Sequence, residues 1–546
     1  MCVGEGGTMR MPMERTLLLP QARREENAAA QEQREPDGVR EAAAACFCTP
    51  LAVYAIFATV VLFASNAWRL AQAEPGVQWC VCGTHRACVD NGPTRAAHLQ
   101  RIQELLKFWW VSDLHIDLDY SAHVVPETPW LVCREFDQQR HTRSSGRGPG
   151  HQAFALGRVN CDPPLALFES QLLAMHAEDP NPSAIFLTGD VIAHFIASRS
   201  RAAQTLREVA AAISRKFPST RVFVALGNVD MQLAGDESDD SALPLQFEFL
   251  ASIFHSVGWL HTRDMQHTFA TGGYYKADLD ASLSVISINT NLMLKRQQAD
   301  AGSNRAQLAR QMLLWIEHQA LRAQLEGRRL LLLGHAAPGA KTQLANWYEE
   351  YTTQFSDLSA RFRGVFIMHL FGDFTEAVEL RMLWDNSSQD AHVSSGVLIH
   401  PGLTPRRPAA PGSNPSFKQI LYSRDQRVIM DSITWVMNLQ AASFASMTGA
   451  GPHLDTWERQ PSIRERFGLA SLHSDELEAL FMQLRSNVST LERFYRVAWS
   501  RFITNHDFTS DLCDMRFTAA GPRLKCYADP TGLFRGLSES QAEPKR

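Results

Sequence analysis

Six short apolar runs set the limits on what this chain can become. LLKFWWV, SAIFLTG, RVFVALG, LSVISIN, RLLLLG and GVFIMHLFG are continuous rather than alternating, and each is bounded by polar residues or glycine. Strands that read this way are covered on both faces. Between several of them lie LALFESQLLAMHAE, SRAAQTLREVAAAISRKF and RAQLARQMLLWIEHQALRAQLEG, with apolar residues at helical spacing. Strands and helices in this alternation predict an α/β architecture, a β-sandwich flanked by helices, with function in the loops that leave the strands. After about Lys418, segments such as SDELEALFMQLRSNVSTLERFYRVAW predict a C-terminal helical subdomain.

The chain has 546 residues, enough for one large domain with attachments. Residues 1–41 are rich in Glu, Arg, Gln and Ala and poor in aromatic and β-branched residues, the composition of a disordered leader. Ala42–Trp68 then carries no charge and exceeds the roughly 20 residues needed to cross a bilayer. A cleaved signal peptide would have a shorter leader and an apolar core of roughly 7–15 residues. The run is therefore read as an uncleaved single-pass anchor rather than a signal peptide or a buried helix. Arginines of the leader are matched by acids, so charge does not set the orientation. Cys80, Cys82, Cys88, Cys133, Cys161, Cys513 and Cys526 lie beyond the run, as do the sequons at Asn386 and Asn487. Both suit an oxidising compartment. The expectation is a type II protein: a cytoplasmic leader (1–41), an anchor (42–68), a Cys-containing linker (69–104), a catalytic domain (105–417) and helical residues 418–546 in a lysosome-like lumen or outside the cell. The cluster WCVCGTHRAC lacks a second paired-ligand group, which favours disulfides over zinc, with the pairing left open. ERTLLL in the leader has the spacing of an acidic dileucine sorting signal. The net charge of -5 argues against a nucleic-acid partner.

What stands at the strand ends carries the chemistry. The first run is followed by Asp113 and His115, the next by Asp190, the third by Asn228, and a later run by His335. One such residue is usually a turn former. A succession of carboxylates, imidazoles and an amide at successive strand ends points to a common centre. Mixed oxygen and nitrogen ligands suit Zn, Mn or Fe rather than Ca. A carboxylate bridging two ions suits displacement at phosphorus.

The order D-x-H, G-D, G-N, G-H resembles the calcineurin-like metallophosphoesterases. CDPPLALFESQL, GGYY, PGLTP with NPSFK, and TGDVIAH resemble the acid sphingomyelinase-like phosphodiesterase and endopolyphosphatase branch, over roughly residues 105–530. The resemblance implies that Asp113 and His115 hold one divalent ion and that Asp190 bridges. Asn228 and His335 hold the second ion, with Asp373 beside them, and His194 lies near the scissile phosphate. It also implies C-terminal helices wrapped on the catalytic domain, with a Cys513–Cys526 disulfide. The expected activity is hydrolysis of a phosphate ester or polyphosphate. Two departures count against it. Val229 stands where the family often has histidine. GDFT stands where G-H-x-H is expected, so Asp373 and Thr375 replace two imidazoles, and His369 lies too early in its strand to substitute. One ion site is therefore expected to be weak. The alternative is an impaired member that binds a phosphate ligand or partner without turnover. Arg134, Arg140, Arg143, Arg147 and Arg158, with Arg406 and Arg407, read either as solvated surface charge or as a funnel for anions.

Overall fold

The computed structural model describes residues 105–122, 133–134, 154–232, 240–295, 303–341, 344–373, 379–387, 391–406, 414–447, 457–487, 490 and 508–534. The leader, the run Ala42–Trp68, Cys80–Cys88, Thr375 and Arg407 lie outside them. Among the described residues no helix is long and apolar enough to cross a membrane.

The strands are β1 (Leu105–Val111), β2 (Ala184–Leu187), β3 (Val222–Val224), β4 (Tyr275–Asp278), β5 (Leu283–Ser287), β6 (Arg329–Ala336), β7 (Ala340–Lys341), β8 (Leu344–Ala345), β9 (Phe366–Gly372), β10 (Leu380–Asp385), β11 (His392–Ile399), β12 (Ser416–Ser423), β13 (Val428–Met437) and β14 (Trp457–Arg459). All six apolar runs form strands: β1, β2, β3, β5, β6 and β9. Two six-stranded mixed sheets result, ordered β14-β13-β12-β1-β2-β3 and β10-β11-β9-β6-β5-β4, with β7 and β8 forming a small ribbon. β1, β2 and β3 run parallel in the first sheet, as do β5, β6, β9 and β11 in the second. The sheets share one apolar core, in which Phe108, Trp109, Trp110, Phe186, Leu331 and Leu370 are fully buried. Helices Leu165–Glu178, Arg199–Lys216 and Asn304–Leu325 follow the predicted segments. Ser198 and Ser303 accept from the backbone N–H three residues on, which satisfies a donor that the first helical turn leaves open.

Residues beyond 417 differ from a purely helical expectation. The boundary at 417/418 falls inside β12, which pairs antiparallel with β1. The strand was hidden because SFKQILYS mixes charge with apolar residues. Lys418 is nonetheless buried, its Nζ 2.9 Å from Glu379, whose other oxygen is 2.6 Å from Arg466. A buried charge with its partners in place tolerates a core strand. β10 is disguised in the same way, because buried Arg381 donates to the Pro338 carbonyl. Helices Ser474–Ser486, Phe508–Arg516 and Ala520–Ala528 come after, and Cys513 and Cys526 are disulfide-bonded.

Candidate metal centre

Five parallel strands of the two sheets deliver their following loops to one place. β1 leads to Asp113 and His115, β2 to Asp190, and β3 to Asn228, while β6 carries His335 and β9 ends beside Asp373. The chain turns sharply at four of these. Asp113, His115, Asp190 and Asp373 have φ of 48°, 45°, 54° and 50°, a left-handed conformation unfavourable for residues with a Cβ. Such strain persists only where the surroundings fix it.

The glycines of the motifs clear the space. A Cβ on Gly227 would overlap Oδ1, the backbone nitrogen and Cα of Asp190. One on Gly189 would stand 2.8 Å from Nδ1 of His335, and one on Gly372 would stand 2.6 Å from Oδ2 of Asp113.

Asp190 occupies the middle. Its Oδ2 lies 3.3 Å from Nε2 of His115 and 3.3 Å from Nε2 of His335. Its Oδ1 accepts from Val229 N–H at 2.8 Å. His335 donates Nδ1–H to the Thr188 carbonyl at 2.7 Å, which leaves Nε2 turned toward Asp190 and the Asn228 Oδ1 at 3.2 Å. Asp113 accepts from Ser112 Oγ at 2.6 Å and from the Asp373 N–H at 3.1 Å. Ligand atoms of Asp113, His115 and Asp190 fall within 4.8 Å of one another, as do those of Asp113, His335 and Asp373.

The electrostatics of the cluster favour added positive charge. Burial disfavours charge on Asp190, His115 and His335, yet the two imidazoles hold Asp190 well below the usual carboxylate range. Against the same burial, Asp190, Asp113 and Asp373 push His335 up to about 10, and Asp190 raises His115. Buried carboxylates thus hold protons on imidazoles that would otherwise lose them. A divalent cation meets that demand with neutral imidazoles. Nδ1 of His115 is also buried without a hydrogen-bond partner. The donor set and this ring nitrogen fit a divalent-metal site.

His194 adjoins the cluster. Its ring stacks on His115 at 4.3 Å between centroids. Its Nδ1 lies 3.0 Å from Oδ2 of Asp162, which also accepts the His194 backbone N–H at 2.8 Å. Burial and the charge of His115 lower the His194 pKa against the pull of Asp162. Asp162 itself is held low by His194, His115 and Arg406, despite its burial.

All seven sequence candidates thus lie in one neighbourhood. Thr375 falls outside the described residues. His369 stays away: its ring packs 5.2 Å from Phe355 and 5.4 Å from Phe366, and burial pushes it down to about 3. Two residues went unrecognised. Asp162 holds His194, and Asp230 gathers the N–H groups of Asp190, Val191 and Gly227 at 2.8, 2.9 and 2.9 Å. Both stand inside noted motifs, as the residue after Cys161 and the last of GNVD. The arginine funnel loses its described members. Arg134 is bound to Asp117, Arg158 lies over the Phe154 ring, and Arg406 is buried against Asp162.

Residues 106–367 match the model of the calcineurin-like phosphoesterase family, a span that holds every candidate residue except Asp373. That segment is a calcineurin-like phosphoesterase domain. The phosphoesterase is 27% identical over 452 residues to acid sphingomyelinase-like phosphodiesterase 3b of Homo sapiens, covering 78% of this chain and 90% of that protein. It is 23% identical over 424 residues to a cyclic GMP-AMP phosphodiesterase of Rattus norvegicus, covering 75% and 86%. An endopolyphosphatase of Schizosaccharomyces pombe is 26% identical over 288 residues, covering 49% of this chain and 46% of that protein. Family and donor cluster together describe a metal-dependent phosphoric ester hydrolase.

Proposed function

We propose that the phosphoesterase cleaves phosphodiesters with two divalent ions bridged by Asp190. The observation that carries this reading is the position of Asp190 Oδ2, 3.3 Å from both His115 Nε2 and His335 Nε2. Asp113 and His115 would hold one ion with Asp190, and Asn228, His335 and Asp373 would hold the other with it. When bound, the ions supply Lewis-acid charge for the phosphoryl oxygens and an acidified water. His194 supplies the proton. Asp162 takes Nδ1–H, so the protonated ring presents Nε2–H to the departing oxygen and gives up that proton as the P–O bond breaks, leaving the neutral Nδ1–H tautomer. With Val229 in place of a histidine, no other described imidazole near the cluster has this freedom: His115 and His335 are ligands.

Phosphodiesters come first because the relatives spanning three quarters of the chain bear phosphodiesterase names, whereas the endopolyphosphatase match spans 49% of it. The first ion has three described protein donors and the second four, so one is expected to bind tightly and one only in excess metal. The test combines metal analysis with turnover of bis(p-nitrophenyl) phosphate and of long-chain polyphosphate, with Zn or Mn added. The expected result is two unequal ions and faster diester than polyphosphate cleavage. Two bound ions with turnover of neither substrate would favour an impaired, ligand-binding protein.

We infer that the domain lies on the luminal or extracellular side, beyond an anchor at 42–68; the disulfides Cys133–Cys161 and Cys513–Cys526 support an oxidising compartment. Its sequons at Asn386 and Asn487 should then carry glycans, and endoglycosidase should shift the band of the full chain. An unshifted band, with the domain open to protease in sealed vesicles, would reverse the orientation.

A further inference from the structure

The turn that presents His194 is held from two sides, and the two clamps are tied to each other. Arg134 donates from Nη2 to the His194 carbonyl at 3.0 Å and from Nη1 to the Phe195 carbonyl at 2.9 Å. Its Nε is fixed by both oxygens of Asp117, at 3.0 and 2.8 Å. Asp162 takes the other side, accepting the His194 backbone N–H at 2.8 Å and facing the ring Nδ1 at 3.0 Å. The turn between them needs holding. Phe195 has a left-handed φ of 53°, and its side chain is 62% exposed, so burial does not anchor it. Arg134 follows Cys133, Asp162 follows Cys161, and these two cysteines form a disulfide.

We propose that the Cys133–Cys161 disulfide is a positioning device for His194, acting through Arg134 and Asp162. Arg134 and Asp162 are positioning residues; neither is given a place on the substrate. The crosslink fixes the separation of the two clamps, so each acts on the turn without first being ordered. Among the described residues, the Asp117 pair and a hydrogen bond from Ser121 N–H to the Cys133 carbonyl also tether Arg134 near the turn. Asp117 is two residues beyond His115, so the same clamp also links the turn to the metal cluster. Thiol reductant should therefore loosen His194 while the metal ligands, none of which is a cysteine, stay in place.

This inference rests on the reading of His194 as proton donor, so the test has one arm that needs no turnover. Backbone hydrogen exchange is measured across residues 190–198 in the full-length protein, in Cys133→Ala/Cys161→Ala, and in Arg134→Gln and Asp162→Asn, which keep the disulfide. Each variant should speed exchange there by about tenfold or more, as a local opening does, with metal content unchanged. Unchanged exchange in Arg134→Gln and in the reduced protein would overturn the proposal, even if the double cysteine variant fails to fold. The second arm compares kcat for a methyl phosphodiester and a p-nitrophenyl phosphodiester. An alkoxide needs a proton to leave and p-nitrophenolate does not. The variants should lose about tenfold or more on the former, within the range a general acid supplies, and little on the latter, with KM preserved. Faster exchange with equal loss on both substrates would uphold the clamp and overturn the proton-donor reading.

Discussion

Asp190→Asn should yield a folded protein that holds neither ion firmly and turns over substrate at least about a thousandfold more slowly, since metal charge supplies several kcal/mol to such reactions. The argument is positional. One carboxylate oxygen faces His115 and His335 at 3.3 Å each, and the other is occupied by Val229 N–H. An amide keeps the shape and removes the negative charge shared by both ions. Folding should survive, because the backbone N–H of Asp190 stays bonded to Asp230 and the amide oxygen of Asn can still accept from Val229 N–H. Metal analysis and a thermal melt decide it. Two ions retained with full stoichiometry would remove Asp190 from the bridge.

Gly227→Ala should be nearly as damaging, although it touches no charge. The added methyl would fall on the backbone nitrogen and Cα of Asp190 as well as its carboxylate, and a backbone does not step aside as a flexible side chain does. The loops after β2 and β3 must part, which separates Asp190 from Asn228. Overpacking of this kind typically costs about 1–3 kcal/mol of stability, and misplacing a reacting group by about an ångström costs on the order of a hundredfold in rate. The control is Gly521→Ala, where a Cβ meets nothing within 4 Å. That change should leave turnover alone and raise the melting temperature slightly, because alanine favours the helix Ala520–Ala528. Equal turnover in Gly227→Ala and wild type would mean that the two loops are not packed as described.

The sheet and the cluster were legible for one reason. Strands buried on both faces must be apolar throughout, so the polar residue ending each one stands out; Asp113, Asp190, Asn228 and His335 were found that way. β10, β12 and β13 were not, because their polar residues are buried. Arg381, Lys418 and Asp431 interrupt the apolar pattern, and their partners at Pro338, Glu379 and Ser462 lie far away in sequence. Asp162 escaped for a related reason. Its role depends on meeting His194 32 residues on, and an aspartate before two prolines reads locally as a turn. The pairing of Cys133 with Cys161 likewise needed the fold.

The pairing of β1 with β12 bears on how this protein is made. Ribosomal synthesis delivers β1 early, yet the strand that covers one of its edges begins at Ser416, some three hundred residues later. Until then Phe108, Trp109 and Trp110 sit on a strand with only β2 to bind. An unpaired edge of that composition invites association with other chains. A message cut short before residue 416 would therefore encode every proposed ligand and still not a smaller enzyme. It would encode a client for chaperones and degradation, so the completeness of the C-terminal strands decides whether the metal ligands are ever assembled.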